Sequence, residues 1–168
     1  EVNPDEMITD YNLKILLTRD GYLKKIPLSS LRSGAQQKVK EGDEIVLEQD
    51  ATNKSDIVLI SNMGNAYKMK LYEIADCKPS DWGHFVANIT QMLPDEKIVF
   101  AIATLDYAGD LIYFFENGKA ARVSLKSYET KTNRKKLANA YSTKSPLVSV
   151  KFITEDTDIA LYSSIDKI

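Results

Sequence analysis

Short apolar runs broken by polar turns fill this chain, and three of them are alike. The first is Ile15-Leu-Leu-Thr-Arg-Asp-Gly21-Tyr-Leu-Lys-Lys25-Ile-Pro-Leu28. The second is Ile57-Val-Leu-Ile-Ser-Asn-Met-Gly64-Asn-Ala-Tyr-Lys68-Met-Lys-Leu71, and the third Leu111-Ile-Tyr-Phe-Phe-Glu-Asn-Gly118-Lys-Ala-Ala-Arg122-Val-Ser-Leu125. Each carries a basic residue four positions after its Gly and Leu seven after it. Gly21 and Gly64 are 43 residues apart, and Gly64 and Gly118 are 54 apart, periods that belong to blades, solenoids or arrays. A fourth copy begins at Ile159-Ala-Leu-Tyr-Ser-Ser-Ile-Asp166-Lys.

Each copy predicts a β-hairpin, because β-branched and aromatic residues flank a turn whose Gly reaches positive φ without a Cβ clash. A third apolar strand follows each hairpin after a variable loop: Glu44–Leu47, Lys97–Ile102 and Leu147–Ile153. Helical periodicity is absent apart from one possible turn at Leu71–Ala75. The pattern predicts an all-β chain with about four short strands per repeat, arranged radially. Units fall near 11–50, 51–103 and 104–153, with a truncated one at 154–168. Residues 1–10, acidic and carrying Pro4, read as a linker or lead-in.

The 168 residues are 43% hydrophobic and 27% charged, ordinary for a globular chain long enough to bury a core. The single cysteine, Cys77, excludes an internal disulfide and fits a reducing compartment, so a cytoplasmic location is expected. The single histidine, His84, excludes a multi-histidine metal centre. Apolar runs are too short for a membrane-spanning helix, and no membrane partner is expected. The chain starts at Glu1 and stops in an apolar run, which predicts a piece of a longer protein.

Net charge of −2 conceals an asymmetry. Residues 117–136 hold Lys119, Arg122, Lys126, Lys131, Arg134, Lys135 and Lys136 against Glu129 alone, a local +6. Residues 41–56 hold six acids against Lys54. Screening limits the reach of distant acids to about 8 Å, so the basic window can still attract a phosphate backbone. The alternative is a solvated loop.

The segment Thr18-Arg-Asp-Gly21-Tyr22-Leu-Lys24-Lys25-Ile-Pro-Leu28 resembles the first hairpin of the C-terminal domain of the A subunit of bacterial type IIA topoisomerases, DNA gyrase and topoisomerase IV. That family repeats a Thr-x-x-Gly-Tyr-x-Lys-Arg hairpin and a Glu-Lys-Ile strand. Gly64-Asn-Ala-Tyr67 with Tyr72-Glu73-Ile74, Asp95-Glu96-Lys97-Ile98 and 129–143 are similar to later elements. The resemblance covers roughly residues 11–168. It implies a β-pinwheel, a propeller-like disc whose neighbouring blades exchange strands, here a partial disc of about three blades plus the start of a fourth. It implies a non-catalytic segment that binds and bends duplex DNA on a basic rim near the nucleoid. The parent would be an ATP- and Mg²⁺-dependent isomerase that dimerises and joins its ATPase B subunit through regions absent here. No cofactor is implied for this segment itself.

The rim residues expected from charge and repeat position are Lys25, Lys68, Lys119, Arg122, Lys126, Arg134, Lys135 and Lys136. Lys25, Lys68 and Arg122 share one repeat position, where a phosphate contact and a charge that blocks strand-edge pairing are both open readings. Gyrase carries a Gln-Arg-Arg-Gly-Gly-Lys-Gly box after the first hairpin. The matching stretch here, with Arg32, Gly34 and Lys38, keeps only fragments of it, which puts chiral wrapping in doubt and leaves gyrase and topoisomerase IV equally open. Tyr141 follows Asn139-Ala140 rather than Arg, so it reads as a packing residue and not as a DNA-cleaving nucleophile. No phosphate loop, Ser/His/Asp set or CxxC motif occurs. A propeller-like protein-interaction scaffold remains the alternative function.

Overall fold

A computed structural model describes residues 9–31, 37–90, 92–93, 95–129, 136–138 and 140–153; in these the chain forms three antiparallel sheets. The three repeated segments fold as hairpins: β1 (Asn12–Thr18) with β2 (Tyr22–Pro27), β4 (Asp56–Ser61) with β5 (Ala66–Lys70), and β8 (Asp110–Phe115) with β9 (Ala120–Ser124). The apolar strand after each hairpin returns to its first strand. Thus β3 (Ile45–Thr52) pairs with β1, β7 (Ile98–Thr104) with β4, and β11 (Leu147–Ile153) with β8.

The fourth strand is borrowed from the next repeat. The two-residue β6 (His84–Phe85), which follows hairpin two, pairs with β2 of blade one. The two-residue β10 (Lys136–Leu137), which follows hairpin three, pairs with β5 of blade two. The sheet orders are therefore β3-β1-β2-β6, β10-β5-β4-β7 and β11-β8-β9. Exchange of strands between neighbouring blades is the defining feature of a β-pinwheel, and the expected all-β, propeller-like class holds. The truncated fourth unit and most of the lead-in lie outside the described residues. The one helical turn expected at Leu71–Ala75 is a 3₁₀ turn at Leu71–Glu73, and matching turns end the other hairpins at Leu28–Leu31 and Leu125–Tyr128. The only α-helix among the described residues, α1 (Val86–Ile89), continues from β6.

Strand β4 shows why an unbroken apolar run is needed in a central blade. Successive side chains of a strand point to opposite faces. Ile57 and Leu59 pack with Leu13, Ile15 and Leu17 of blade one, whereas Val58 and Ile60 pack with Leu111, Tyr113 and Val150 of blade three. Both faces of β4 are buried, so no polar alternation survives. Each of these side chains contributes roughly 1.5–3 kcal/mol through burial. The outward face of blade one is closed by a smaller cluster of Leu16, Ile26 and Cys77, with Leu31 and Ile45 against it.

A repeated latch fixes the third strand to its own hairpin turn. The residues two before Ile45, Ile98 and Leu147 are Asp43, Glu96 and Ser145. Asp43 Oδ1 accepts the Asp20 amide at 3.0 Å, Glu96 Oε2 accepts Asn65 Nδ2 at 2.8 Å, and Ser145 Oγ accepts the Asn117 amide at 3.2 Å. One residue further on, the carbonyls of Glu44, Lys97 and Pro146 accept the amides of Arg19, Asn62 and Glu116 at 2.8–2.9 Å. The Glu-Lys-Ile signature is thus the latch of blade two. Gly64 is required on two counts: its φ is +82°, and a Cβ there would stand 2.6 Å from Thr143 Cγ2.

Candidate nucleic-acid interface

The adjacent lysines of β2 sit on opposite faces of the strand, and both are buried. The Lys25 ammonium donates to Asn53 Oδ1 at 2.6 Å, to the Leu71 carbonyl at 2.8 Å and to the Ile74 carbonyl at 2.9 Å, with Asp76 at 3.4 Å. Its protons are all engaged inside the fold, and burial pushes its pKa down. The expectation that Lys25 contacts phosphate on the rim is therefore corrected: it is 2% exposed and holds blade one to the start of blade two.

Its counterpart Lys68 is half-buried, with Nζ 5.7 Å from the Tyr107 ring centre. Burial lowers its pKa too, against an opposing pull from Asp56. Asn53 and Tyr107 each stand four residues before the first core residue of their hairpin, Ile57 and Leu111. The repeated cation thus reaches from one blade to the entry of the next. In blade three the same position, Arg122, is exposed and pairs with Asp110 across its own hairpin.

Lys119 just before β9, Arg122 within it and Lys126 in the turn after it are each exposed. Lys126 bonds Glu129 at 2.8 Å, three residues on; that hydrogen bond and the nearby charge raise its pKa. Lys136, on the borrowed strand β10, places Nζ 5.9 Å from the Tyr67 ring centre. Arg134, Lys135, Arg32 and Gly34 lie outside the described residues. Lys38, the described remnant of the box loop, is exposed, and its amide donates to the Pro79 carbonyl at 2.8 Å.

The structural reading of Tyr141 holds: its hydroxyl donates to the Ser61 carbonyl at 2.6 Å and its ring stacks on Tyr113 at 4.8 Å. His84 forms part of the borrowed strand and contacts the Ala75 carbonyl through Nε2. Tyr22 packs against Phe85 and Trp82. Among the described residues, no three His, Cys, Asp or Glu side chains are grouped to hold a metal ion, and no helix is long and apolar enough to cross a membrane. Charge and repeat position do not single out Lys24 as an organising residue, although a cation between Leu23 and Ile26 in an apolar strand is itself a sign of a satisfied buried charge.

These blades define a β-pinwheel built from strand-exchanging repeats. A family model described as the DNA gyrase C-terminal domain, beta-propeller, matches residues 15–46 and 55–79. The gyrase A protein of Thermotoga maritima is 33% identical over 143 residues, covering 80% of this chain and 18% of that protein. The gyrase A protein of Helicobacter pylori is 24% identical over 97% of this chain and 21% of its own length. A crystal structure of the C-terminal domain of DNA topoisomerase IV superposes with a TM-score of 0.75 at 26% identity, covering 87% of this chain and 47% of that one. The chain belongs to the family of C-terminal domains of DNA gyrase and topoisomerase IV A subunits. It spans about a fifth of the length of the curated relatives it matches.

Proposed function

We propose that this chain is a non-catalytic domain that binds and bends duplex DNA for a bacterial type II topoisomerase. In this reading the parent is an ATP-dependent isomerase working with Mg²⁺ and a B subunit, and it operates in the cytoplasm on nucleoid DNA. The observation that carries the reading is that the cations Lys119, Arg122 and Lys126, before, on and after β9, are exposed in a domain of this family. Surface cations neutralise phosphates without reading bases, and the additional phosphates that a bent duplex brings within reach offset the bending energy. With the box reduced to Arg32, Gly34 and Lys38, the reading includes little chiral wrapping.

The test is a salt titration of duplex binding with wild type and a Lys119→Gln/Lys126→Gln/Lys136→Gln variant, on two unrelated sequences. Each lost phosphate contact should flatten the dependence of log K on log salt by about 0.9. Both sequences should bind alike. A wild type that binds neither duplex at low salt supports instead a protein-interaction scaffold, for which the acidic segment 41–56 is the feature in favour.

A further inference from the structure

Lys24 occupies a site that the DNA-binding reading did not use. It is fully buried on the face of β2 opposite Lys25. Its ammonium donates to Gln37 Oε1 at 2.5 Å, to the Lys38 carbonyl at 3.1 Å and to the Pro79 carbonyl at 2.9 Å. Three ammonium protons thus meet three acceptors from two separate loops. The Lys38 amide donates to the same Pro79 carbonyl at 2.8 Å, so both backbone polar groups of Lys38 are fixed while its side chain stays exposed. Gly83 completes the seat: a Cβ there would stand 2.7 Å from Lys24 Cγ and 2.6 Å from the Leu23 carbonyl oxygen.

We propose that Lys24 is a positioning residue that holds Lys38 in place as a phosphate contact for duplex DNA. The inference rests on the DNA-binding reading above. Residues 37–40 form no helix or strand, and an untethered lysine there would have to be ordered at the moment of binding. The buried ammonium orders it beforehand, so less freedom is lost when a phosphate arrives. Burial lowers the Lys24 pKa, against an opposing pull from Cys77 and Asp81.

The test combines amide hydrogen exchange with duplex salt titrations of wild type, Lys24→Met, Lys38→Gln and the double variant. Lys24→Met keeps the stem and removes the donors. It should speed exchange of the Lys38 amide about tenfold or more, as expected for a segment that opens locally. Lys24→Met and Lys38→Gln should each reduce the salt slope by about 0.9, one contact. The double variant should lose no more than either single one, because both remove the same contact. Gln37→Ala, which removes only one acceptor, gives a partial effect on both readouts and serves if Lys24→Met fails to fold. Unchanged exchange at Lys38 overturns the proposal whatever the DNA result. Duplex binding that is normal in Lys38→Gln, or additive losses in the double variant, also overturn it. Absence of any duplex binding by wild type overturns the functional reading, and is told apart from failure of the clasp by the exchange data.

Discussion

The Tyr67 hydroxyl donates to Glu96 Oε1 at 2.7 Å, tying the hairpin of blade two to the strand that closes it. Glu96 also accepts Asn65 Nδ2 and the Leu93 amide, and is 4% exposed. A buried carboxylate is tolerable only when its lone pairs are filled by donors. Glu96 is therefore the charged form of a latch that blade three makes with neutral Ser145.

Removing the charged latch should cost more than removing the neutral one. Glu96→Ala strands Tyr67 and Asn65 donors in the interior, a loss of about 2–3 kcal/mol, whereas Ser145→Ala gives up one bond worth about 1 kcal/mol. Urea unfolding of the two variants checks the order. Equal losses would mean that the strand-to-turn backbone bonds alone hold the latch.

Glu96 and Asp43 should make the fold sensitive to acid. Burial pushes the Glu96 pKa up, but donors from Ser61, Tyr67, Asn65 and the Leu93 amide outweigh it and the net shift is downward. At Asp43, burial is likewise outweighed by Thr18, the Glu44 and Asp20 amides and the Arg19 charge. A carboxyl group with a depressed folded pKa stabilises fully above its unfolded value of about 4, and that stability fades as pH falls through the folded pKa. Thermal midpoints should hold from neutrality to about pH 5 and fall steeply below about pH 4. In Glu96→Gln the acid slope should be shallower; an identical slope would place the acid sensitivity elsewhere.

Lys25 separates a stitch from a phosphate contact. Lys25→Ala leaves Asn53, Leu71 and Ile74 acceptors unpaired in the interior and should destabilise by about 3 kcal/mol or more. Under conditions where the variant remains folded, its DNA salt slope should equal that of wild type. A reduced slope with unchanged stability would restore the rim reading of this residue.

The architecture was legible because it is carried by local signals repeated three times. Gly21, Gly64 and Gly118 marked the turns, and the apolar runs marked strands whose burial depends only on alternation. The borrowed strands were not legible: His84–Phe85 and Lys136–Leu137 are two residues long, and a pair of residues has no periodicity to read. The cations divided by burial. Spacing from the glycine gave Lys25, Lys68 and Arg122 the same position, yet Lys25 is enclosed and Lys68 half-buried by the entry of the next blade, whereas the unit after Arg122 lies outside the described residues. Lys24 carries the same lesson, since its partners Gln37 and Pro79 are 13 and 55 residues away.

Glu129 is the only acid in the basic window 117–136, and it holds Lys126 at 2.8 Å. Both side chains are well exposed, 66% for Lys126 and 42% for Glu129, so water screens the pair and its loss should leave the thermal midpoint within error of wild type. For DNA the consequence runs the other way. Glu129 repels an approaching phosphate and competes with it for Lys126. Glu129→Gln should therefore tighten duplex binding at low salt and steepen the salt slope by up to about one contact, roughly 0.9. Lys126→Gln in the Glu129→Gln background should return the slope to that of wild type or below. The measurement is fluorescence anisotropy of a labelled duplex across a salt series. Tighter binding that persists without Lys126 would mean that Glu129 acts through the general field of the window. Unchanged binding in Glu129→Gln would show that β9 and the turn after it face away from the DNA.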